Sequence, residues 1–343
     1  MGILDRSRNA EFGVLGGCLM NKIRVGVIGV GALGRHHARV YASLSEAELV
    51  GVVDALPERA GEIAAEFGTN AYSDYTELFG KVDAVSIAAP TTLHAEIGVH
   101  CLKEGIHVLA EKPIAHTLEA AEQLIQAARE NNRVLQIGHL ERFNPAVVAL
   151  REIITRPRFF EAHRMGLFSP RSLDVDVILD LMIHDLDIIS LLVPSPVEKI
   201  TAVGIAILSN RIDIANARVQ FADGCVANVT ASRVSTEKVR KLRLFQKQEY
   251  ISLDYTRQDL AVFGLKQNDG APLPEIVSRK IEPEKKEPLL LELISFLGAI
   301  RDRHPVACSG DEGLHALRLA MQIREQAESA QAREFESTSE APK

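Results

Sequence analysis

One predicted helix carries residue types that could perform acid–base chemistry. In the stretch DVILDLMIHDLDIISLL, Asp180, His184 and Asp187 occur at i, i+4 and i+7, so they share one face of a helix that is otherwise mostly apolar. Burying so many ionisable groups costs several kcal/mol unless they are paired or used. Three interpretations follow: a histidine held between two carboxylates, a divalent-metal site, or a general base, His184, whose carboxylate neighbour sets its tautomer and raises its basicity.

A lysine at a strand end is the second candidate. The run IHVLAEKP predicts a buried strand that ends at Glu111, Lys112 and Pro113. A lysine there can donate a hydrogen bond to a substrate hydroxyl, and its charge favours the alkoxide that forms as a hydride departs. Pro113 restricts Lys112 to extended geometry and admits a cis peptide bond. The alternative is an ordinary surface lysine.

Two further segments follow predicted strands. The stretch GHLERFNP, residues 138–145, lies at a predicted domain junction, where pockets concentrate, and carries Arg142 and Asn144. These two residues either contact a substrate or form hydrogen bonds between domains. In the stretch PTTLH, which contains Pro90, Thr91 and His94, a threonine can cap a helix, and a ligand bound at the strand ends would pass the same place.

A glycine-rich turn near the start of the chain must position this chemistry. The stretch IRVGVIGVGALGRHHAR passes from a strand through Gly29, Gly31 and Gly34 into a helix, and Asp54 follows 20 residues after Gly34. Gly29 permits the turn, Gly31 lets the backbone approach a pyrophosphate, and Gly34 allows close helix–strand packing. The pattern predicts a dinucleotide site, against a glycine-rich turn in some other α/β domain. The predicted cofactor contacts are Gly29, Gly31, Ala32, Leu33, Gly34, Asp54, Pro90, Thr91, His94, Glu111 and Lys112.

The order of the predicted elements indicates two domains of different class. Short apolar strands ending near Asp54, Pro90, Pro113 and His139 alternate with helices, which predicts an α/β Rossmann domain with a parallel, doubly wound sheet. Over residues 196–265, strands follow one another with short links, which predicts an α+β domain whose open-faced mixed or antiparallel sheet is covered by helices on one side. The other face would need a partner, so we expect a homodimer or homotetramer.

The predicted boundaries follow from these patterns. Residues 1–21 are predicted to be a disordered extension with Met20 as a candidate start, and residues 331–343 a disordered tail. The NAD-binding domain is predicted over residues 22–143 and the substrate and oligomerisation domain over residues 144–330. Within the second domain we predict helices near 145–155, 174–192 and 289–300, a solvated loop over 266–288, and a last helix from a Ser309–Glu312 capping box to about Ala327.

Composition excludes several classes of protein. The 343 residues carry a net charge of −7 without a basic face, which argues against a nucleic-acid partner. The apolar runs are too short or too interrupted by charges for a membrane span. The four cysteines have no metal-binding spacing and indicate a reducing, cytoplasmic compartment.

Taken together, these motifs resemble the Gfo/Idh/MocA family of oxidoreductases, named after glucose-fructose oxidoreductase and inositol dehydrogenase. The resemblance rests on GVIGVGALGRHHA, Asp54, the strand-end AEKP, and the helix with Asp180 and His184, and it covers nearly the whole chain. It implies that Lys112 and His184 act on a sugar and that Asp180 contacts it. The stretches GHLERFNPA, LDLMIHDLDI and SRVSTEKVRK are most similar to nucleotide-sugar dehydrogenases of the UDP-N-acetylglucosamine 3-dehydrogenase kind.

The sequence therefore predicts an NAD-dependent dehydrogenase that oxidises a secondary hydroxyl of a sugar, with no metal. Asp54 would bind the adenosine ribose and repel a 2′-phosphate, which favours NAD, whereas Arg24, Arg39 and Arg59 count towards NADP. Arg142, Asn144, Arg171 and Asp180 are the predicted substrate contacts, and the cations available for a diphosphate are His163, Arg164, Arg171, Arg233, Lys238 and Arg240. The alternatives are a free polyol or aldose as substrate, a non-catalytic NAD(H)-binding protein, and a zinc-dependent hydrolase.

Overall fold

The first domain is built on a parallel six-stranded sheet. The computed structural model describes residues 22–168, 175–266 and 274–339, with side chains up to residue 330, so the predicted extension over residues 1–21 lies outside the described residues. The strands are β1 (Ile23–Ile28), β2 (Ala47–Val53), β3 (Asn70–Tyr72), β4 (Ala84–Ile87), β5 (His107–Glu111) and β6 (Leu135–Gly138). The helices are α1 (Ala32–Ser43), α2 (Pro57–Phe67), α3 (His94–Lys103) and α4 (Leu118–Glu130). The spatial order β3-β2-β1-β4-β5-β6 confirms the predicted doubly wound Rossmann sheet.

The turn between β1 and α1 has the geometry that its glycines predict. Gly29 has a φ of +84°, a conformation that residues with a Cβ rarely adopt. A Cβ at Gly34 would lie 1.8 Å from the carbonyl oxygen of Gly29, so α1 can pack this closely on β1 only with glycine there. A Cβ at Gly31 would meet no described atom within 4 Å, which leaves the backbone open to a ligand.

The second domain contains an eight-stranded mixed sheet. Its elements are α5 (Pro145–Ile153), β7 (Pro157–Met165), α6 (Ile183–Leu192), β8 (Val197–Ile205), β9 (Ile214–Phe221), β10 (Val226–Ser232), β11 (Val239–Gln246), β12 (Glu249–Asp254), β13 (Asp259–Lys266), β14 (Glu275–Ile281), α7 (Pro288–Asp302) and α8 (Gly310–Ser339). The spatial order is β14-β13-β12-β11-β7-β10-β9-β8. Strands β7 and β10 are parallel and the other neighbours are antiparallel, which confirms the predicted class of sheet.

The edge strand β14 corrects the prediction of a solvated loop over residues 266–288. Residues 275–281 pair with β13 in antiparallel register, from Glu275 opposite Lys266 to Ile281 opposite Leu260. All of them except Ile281 are exposed. Because neither face of β14 is buried, its sequence does not show the apolar alternation of a half-buried strand. Only the backbone pairing with β13 defines β14 as a strand.

Helices cover one face of the second sheet. Side chains of α5, α6 and α8, including Leu150, Leu186 and Ile323, pack with sheet residues such as Phe160 and Leu242 in one buried core. No helix in the described part of the chain is long and apolar enough to cross a membrane.

Elements late in the chain return to the first domain. Helix α7 packs on the first sheet, where Leu293 and Phe296 share a buried cluster with Val25 and Val27. The backbone N–H of Ile137 in β6 donates to the carbonyl of Cys308 at 3.0 Å, just before α8 begins. Helix α8 then contributes to the buried cores of both domains, so the domains are joined by packing as well as by the chain.

The start of the last helix is as predicted, but its end is not. Ser309 and Glu312 form the capping box, with Ser309 N–H donating to Glu312 Oε2 at 2.8 Å and Glu312 N–H donating to Ser309 Oγ at 3.3 Å. The helix does not end near Ala327; it continues to Ser339, through much of the range predicted to be a disordered tail. Residues 340–343 lie outside the described residues.

Candidate active site

A cavity of about 600 Å³ opens at the carboxyl ends of β1, β2 and β4. Four of the predicted cofactor contacts line it, namely Gly29, Gly31, Asp54 and Pro90. The position is the one at which parallel α/β sheets bind ligands. Ala32 and Leu33 are exposed at the start of α1, Thr91 follows Pro90 in a 3-10 turn, and Gly34 is buried beneath the turn.

Asp54 is fixed at the mouth of this cavity. Its Oδ2 accepts a hydrogen bond from the N–H of Val30 in the glycine turn, and its Oδ1 accepts one from the N–H of Leu56, both at 3.0 Å. The Arg59 side chain lies on the same carboxylate, with Nη1 3.5 Å from each oxygen. The cavity, the open Gly31 backbone and this fixed carboxylate fit a dinucleotide with its ribose at Asp54.

Glu111 and His94, both predicted to contact the cofactor, make buried contacts within the protein. His94 is buried, and its Nδ1 and Nε2 lie 2.9 and 2.8 Å from the carbonyl oxygens of Pro113 and Ala89. Glu111 is buried against His37, with 2.9 Å between Oε1 and Nε2, and its Oε2 accepts the N–H of Lys112. The two side chains therefore hold the segment that carries Lys112.

Lys112 reaches from the first domain to the second. Its Nζ donates to the carbonyl oxygen of Asp180 at 2.8 Å and lies 3.4 Å from Asp180 Oδ1. The Lys112 side chain is only 15% exposed. The peptide bond to Pro113 is cis, which the sequence admits. Lys112 is therefore a cleft residue and not an ordinary surface lysine.

The helix that carries His184 begins with a π-helical turn. Residues Ile178–Met182 form this turn and α6 continues from it, whereas the sequence predicts one regular helix. The carboxylate of Asp176 accepts the N–H groups of Ile178 and Leu179 and so caps the start. Such turns are frequent at functional sites, and this one contains Asp180, the partner of Lys112.

His184 lies one helical turn beyond Asp180 and lacks the expected carboxylate partner. Asp180 bonds to Lys112 and Asp187 bonds to Arg142, and His184 Nδ1 has no hydrogen-bond partner among the described residues. Burial, followed by the positive charges of Lys112 and Arg164, lowers the pKa of His184 well below its usual 6.5. The expectations of a histidine clamped by two carboxylates, and of a carboxylate that raises its basicity, are therefore wrong. A half-buried neutral imidazole can still accept a proton near pH 7.

Arg142 binds the His184 helix and not an open cleft. Its Nε and Nη2 donate to the two oxygens of Asp187 at 2.8 and 2.6 Å, and its Nη1 donates to Glu312 at 2.6 Å and to the carbonyl of Ala307 at 2.9 Å. The side chain is buried. This geometry favours the interdomain alternative over the predicted substrate contact.

A second buried arginine holds the same helix. Arg164 on β7 donates to both oxygens of Asp185 at 2.7 and 3.1 Å and to Glu141 at 3.0 Å. Asn144, a predicted substrate contact, instead donates to Glu141 and to the carbonyl of Tyr255, and it caps α5. Asp185 is not among the predicted site residues, although its place beside His184 in an apolar helix is a signal that the sequence contains. Arg171, the remaining predicted substrate contact, lies outside the described residues.

One group of buried side chains has a spacing that suits a metal. Potential ligand atoms of His139, Asp187 and Cys308 lie within 4.8 Å of one another. Both oxygens of Asp187, however, already accept hydrogen bonds from Arg142. A cation would have to compete with this guanidinium, so we assign the group to the ion-pair network that supports α6.

The fold and the site define a dehydrogenase that uses a nicotinamide dinucleotide. The first domain carries a dinucleotide cavity at its strand ends, and Lys112 of the same domain contacts Asp180, one helical turn before the neutral His184 of the second domain. A family model described as an oxidoreductase family with an NAD-binding Rossmann fold matches residues 23–139, and a GFO/IDH/MocA C-terminal domain model matches residues 153–252. The chain belongs to the Gfo/Idh/MocA family.

Comparison with individual proteins supports this membership. A UDP-N-acetylglucosamine 3-dehydrogenase from Acidithiobacillus ferrooxidans is 40% identical over 306 residues, which cover 89% of this chain and 97% of the relative. The solved structure of that enzyme superposes with a TM-score of 0.84, over 90% of this chain and 99% of that one. A myo-inositol 2-dehydrogenase from Thermotoga maritima is 27% identical over 319 residues, which cover 87% of this chain and 94% of the relative.

The buried Arg142–Asp187 pair makes a prediction about stability. Arg142→Met leaves Asp187 buried without its guanidinium, and we expect the free energy of unfolding to fall by about 3–5 kcal/mol. Arg129→Met is the matched control, because its pair with Asp311 is 60% and 65% exposed and should contribute no more than about 1 kcal/mol. Urea unfolding of both variants measures the difference. Equal losses would contradict a structural role for the buried pair.

The lowered pKa of His184 makes a prediction about pH dependence. Hydroxyl oxidation needs the neutral imidazole, and a lowered pKa keeps the imidazole neutral to lower pH. We therefore expect the acidic limb of kcat for hydroxyl oxidation to have its midpoint well below 6.5, the usual pKa of histidine. Activity should return after readjustment to neutral pH, which separates titration from unfolding. A midpoint at or above the usual histidine value would show that His184 is not held in this environment.

Proposed function

We propose that this protein uses NAD to oxidise a secondary hydroxyl of a nucleotide sugar, and specifically the 3-hydroxyl of UDP-N-acetylglucosamine to a ketone. The observation that carries the proposal is the contact of Lys112 with Asp180, one turn before the neutral His184. The choice of substrate is supported by the relative of that name, which is 40% identical and is covered over 97% of its length.

The proton and the developing negative charge are handled by two residues. The imidazole of His184 accepts the proton of the hydroxyl as its carbon is oxidised. Lys112 has three N–H donors, of which the geometry directs two at Asp180, so one remains for the substrate oxygen as it becomes an alkoxide. Bound NAD would supply the acceptor for the hydride.

NAD is the proposed cofactor in preference to NADP. The Asp54 carboxylate is held in place by two backbone N–H groups and keeps lone pairs for the hydroxyls of the adenosine ribose. Its negative charge opposes a 2′-phosphate. Arg59 would attract such a phosphate, but it lies on Asp54 with its side chain 46% exposed, so it offsets that repulsion only in part.

NADH formation across a panel of substrates tests this function. We expect the wild type to reduce NAD, and NADP less efficiently, with UDP-N-acetylglucosamine. His184→Asn and Lys112→Ala should each lower kcat by ~100-fold or more. The first removes the proton acceptor, and the second removes the positive charge that stabilises the alkoxide oxygen. His315→Asn, an equal change at an exposed histidine of α8, should leave kcat unchanged.

The same panel separates the rival functions. Turnover of myo-inositol without turnover of any nucleotide sugar would replace the proposal with polyol oxidation, the activity named for the Thermotoga maritima relative. Binding of NADH without turnover of any substrate would indicate a non-catalytic protein.

The open face of the second sheet supports assembly with further copies of the chain. Phe159, Phe245, Tyr250 and Phe263 form a ladder across β7, β11, β12 and β13, with adjacent ring centroids 5.0–5.8 Å apart. Phe245 and Phe263 are 36% and 37% exposed, and Ile276 on β14 is 75% exposed. Apolar side chains on a broad exposed face mark an interaction surface, so we propose a homodimer or homotetramer joined there.

Sedimentation equilibrium tests this assembly. We expect the wild type to have two or four times the mass of the chain, and Phe263→Asp to shift it towards the monomer because it buries a charge at the contact. Val148→Asp, a charge placed on the exposed side of α5, is the control and should not dissociate it. A monomeric wild type at micromolar concentration would contradict the proposal.

The cytoplasm is the proposed location. Cys101, Cys225 and Cys308 are buried free thiols, which suit a reducing compartment.

A further inference from the structure

Arg240 on β11 stands on the covered face of the second sheet. It is directly opposite Arg164 of β7 in the antiparallel register, and directly opposite residues have side chains on the same face. Arg164 points to α6, where it binds Asp185, and Leu242, two residues after Arg240, belongs to the buried core. Arg240 is therefore directed towards the layer that contains the His184 helix.

The guanidinium of Arg240 is half-buried, and the carboxylates of Glu141, Asp185 and Asp180 act on it through space without a direct contact in the described part of the chain. Within the described ranges, no hydrogen bond or ion pair involves this side chain. Burial and the adjacent positive charge of Arg164 lower the pKa of Arg240. A partly desolvated charge without a partner is costly, and an anion supplied by a ligand would remove that cost.

The position of Arg240 is close to the reacting groups. Arg240 is directly opposite Arg164, and Arg164 binds Asp185, the residue that follows His184 in α6. In agreement with this placement, the charge of Arg240 is among those that lower the pKa of His184. A ligand anion on Arg240 would therefore lie next to the helix that carries His184 and Asp180, the residue that Lys112 contacts.

The other candidate cations for a diphosphate are engaged elsewhere or directed elsewhere. Arg164 binds Asp185 and Glu141, and Arg233 binds the carbonyl of Val175. His163 precedes Arg164 on β7, so it projects from the opposite, open face of the sheet. Lys238 is exposed before β11 begins, and Arg171 lies outside the described residues.

We propose that Arg240 binds the diphosphate of the nucleotide-sugar substrate and so orients the sugar towards Lys112 and His184. This inference rests on the proposed function for its choice of substrate. A guanidinium is suited to the role because its N–H groups can make two parallel hydrogen bonds to phosphate oxygens. The part of the substrate that does not react would thereby position the part that does.

The test compares Arg240→Met with Lys241→Met. Lys241 is the next residue on β11, is opposite His163 and projects from the open face, so its loss removes the same charge on the other side of the sheet. UDP and uridine are the binding probes, because they differ by the diphosphate, and thermal unfolding is the readout. In the wild type and in Lys241→Met, UDP should raise Tm more than uridine does. In Arg240→Met the two ligands should have equal effects.

Kinetics with UDP-N-acetylglucosamine provide the second readout. Loss of a charged hydrogen bond to the diphosphate should raise KM roughly tenfold or more in Arg240→Met, with a smaller change in kcat, and Arg240→Lys should restore part of it. Arg240→Met that matches Lys241→Met in both KM and UDP protection would overturn the inference. If the acidic limb of kcat in Arg240→Met had its midpoint at higher pH while KM stayed unchanged, the inference would also be overturned, because Arg240 would then act only on the protonation of His184.

These outcomes are distinct from a failure of the proposed function. The UDP and uridine comparison requires no turnover, so it can succeed or fail whether or not a nucleotide sugar is oxidised. UDP protection that depends on Arg240 without NADH formation from any nucleotide sugar would leave the anion site in place and refute the reaction.

Discussion

The site depends on two buried ion pairs that hold one helix. Asp185 and Asp187 follow His184 along α6, at one and three residues beyond it, and each accepts two hydrogen bonds from one arginine, Arg164 and Arg142 respectively. A buried pair gains little net stability, because removing two charges from water costs about as much as their attraction returns. The paired hydrogen bonds instead fix the orientation of α6 relative to the two arginines. They set the rotation of α6 about its axis, and that rotation decides where His184 points.

The same pairs determine the charge around His184. Arg142 and Arg164 balance Asp187 and Asp185, and Lys112 and Arg240 then leave the imidazole in positive surroundings. Burial acts in the same direction, so the neutral form is favoured. An imidazolium beside Lys112 would be repelled, which makes the carboxylate of Asp180, 3.4 Å from Lys112 Nζ, the near counter-charge during proton transfer.

The first domain positions Lys112 by an equivalent support. His94 and Glu111 are buried on either side of the lysine segment and bond to the backbone at Pro113 and Lys112. Helix α8 packs in the buried cores of both domains and so joins the domain that carries the lysine segment to the domain that carries α6. Side chains of types that often serve in catalysis, His94 and Glu111, thus fix Lys112, one of the two residues proposed to act on the substrate.

The sequence by itself determined the fold class, the glycine turn with Asp54, and the nomination of Lys112, Asp180 and His184, because local periodicity, turn chemistry and strand ends are properties of neighbouring residues. It left Arg142 and Asn144 undecided, and it assigned His184 a carboxylate partner that the structure pairs with other residues. The sequence also did not predict strand β14, because that strand is defined by backbone pairing with β13 and not by burial of its side chains. The buried charges that pair with one another are 21 to 170 positions apart in the chain. Only the tertiary structure brings such residues within hydrogen-bond distance, so only it could decide which arginine neutralises which aspartate.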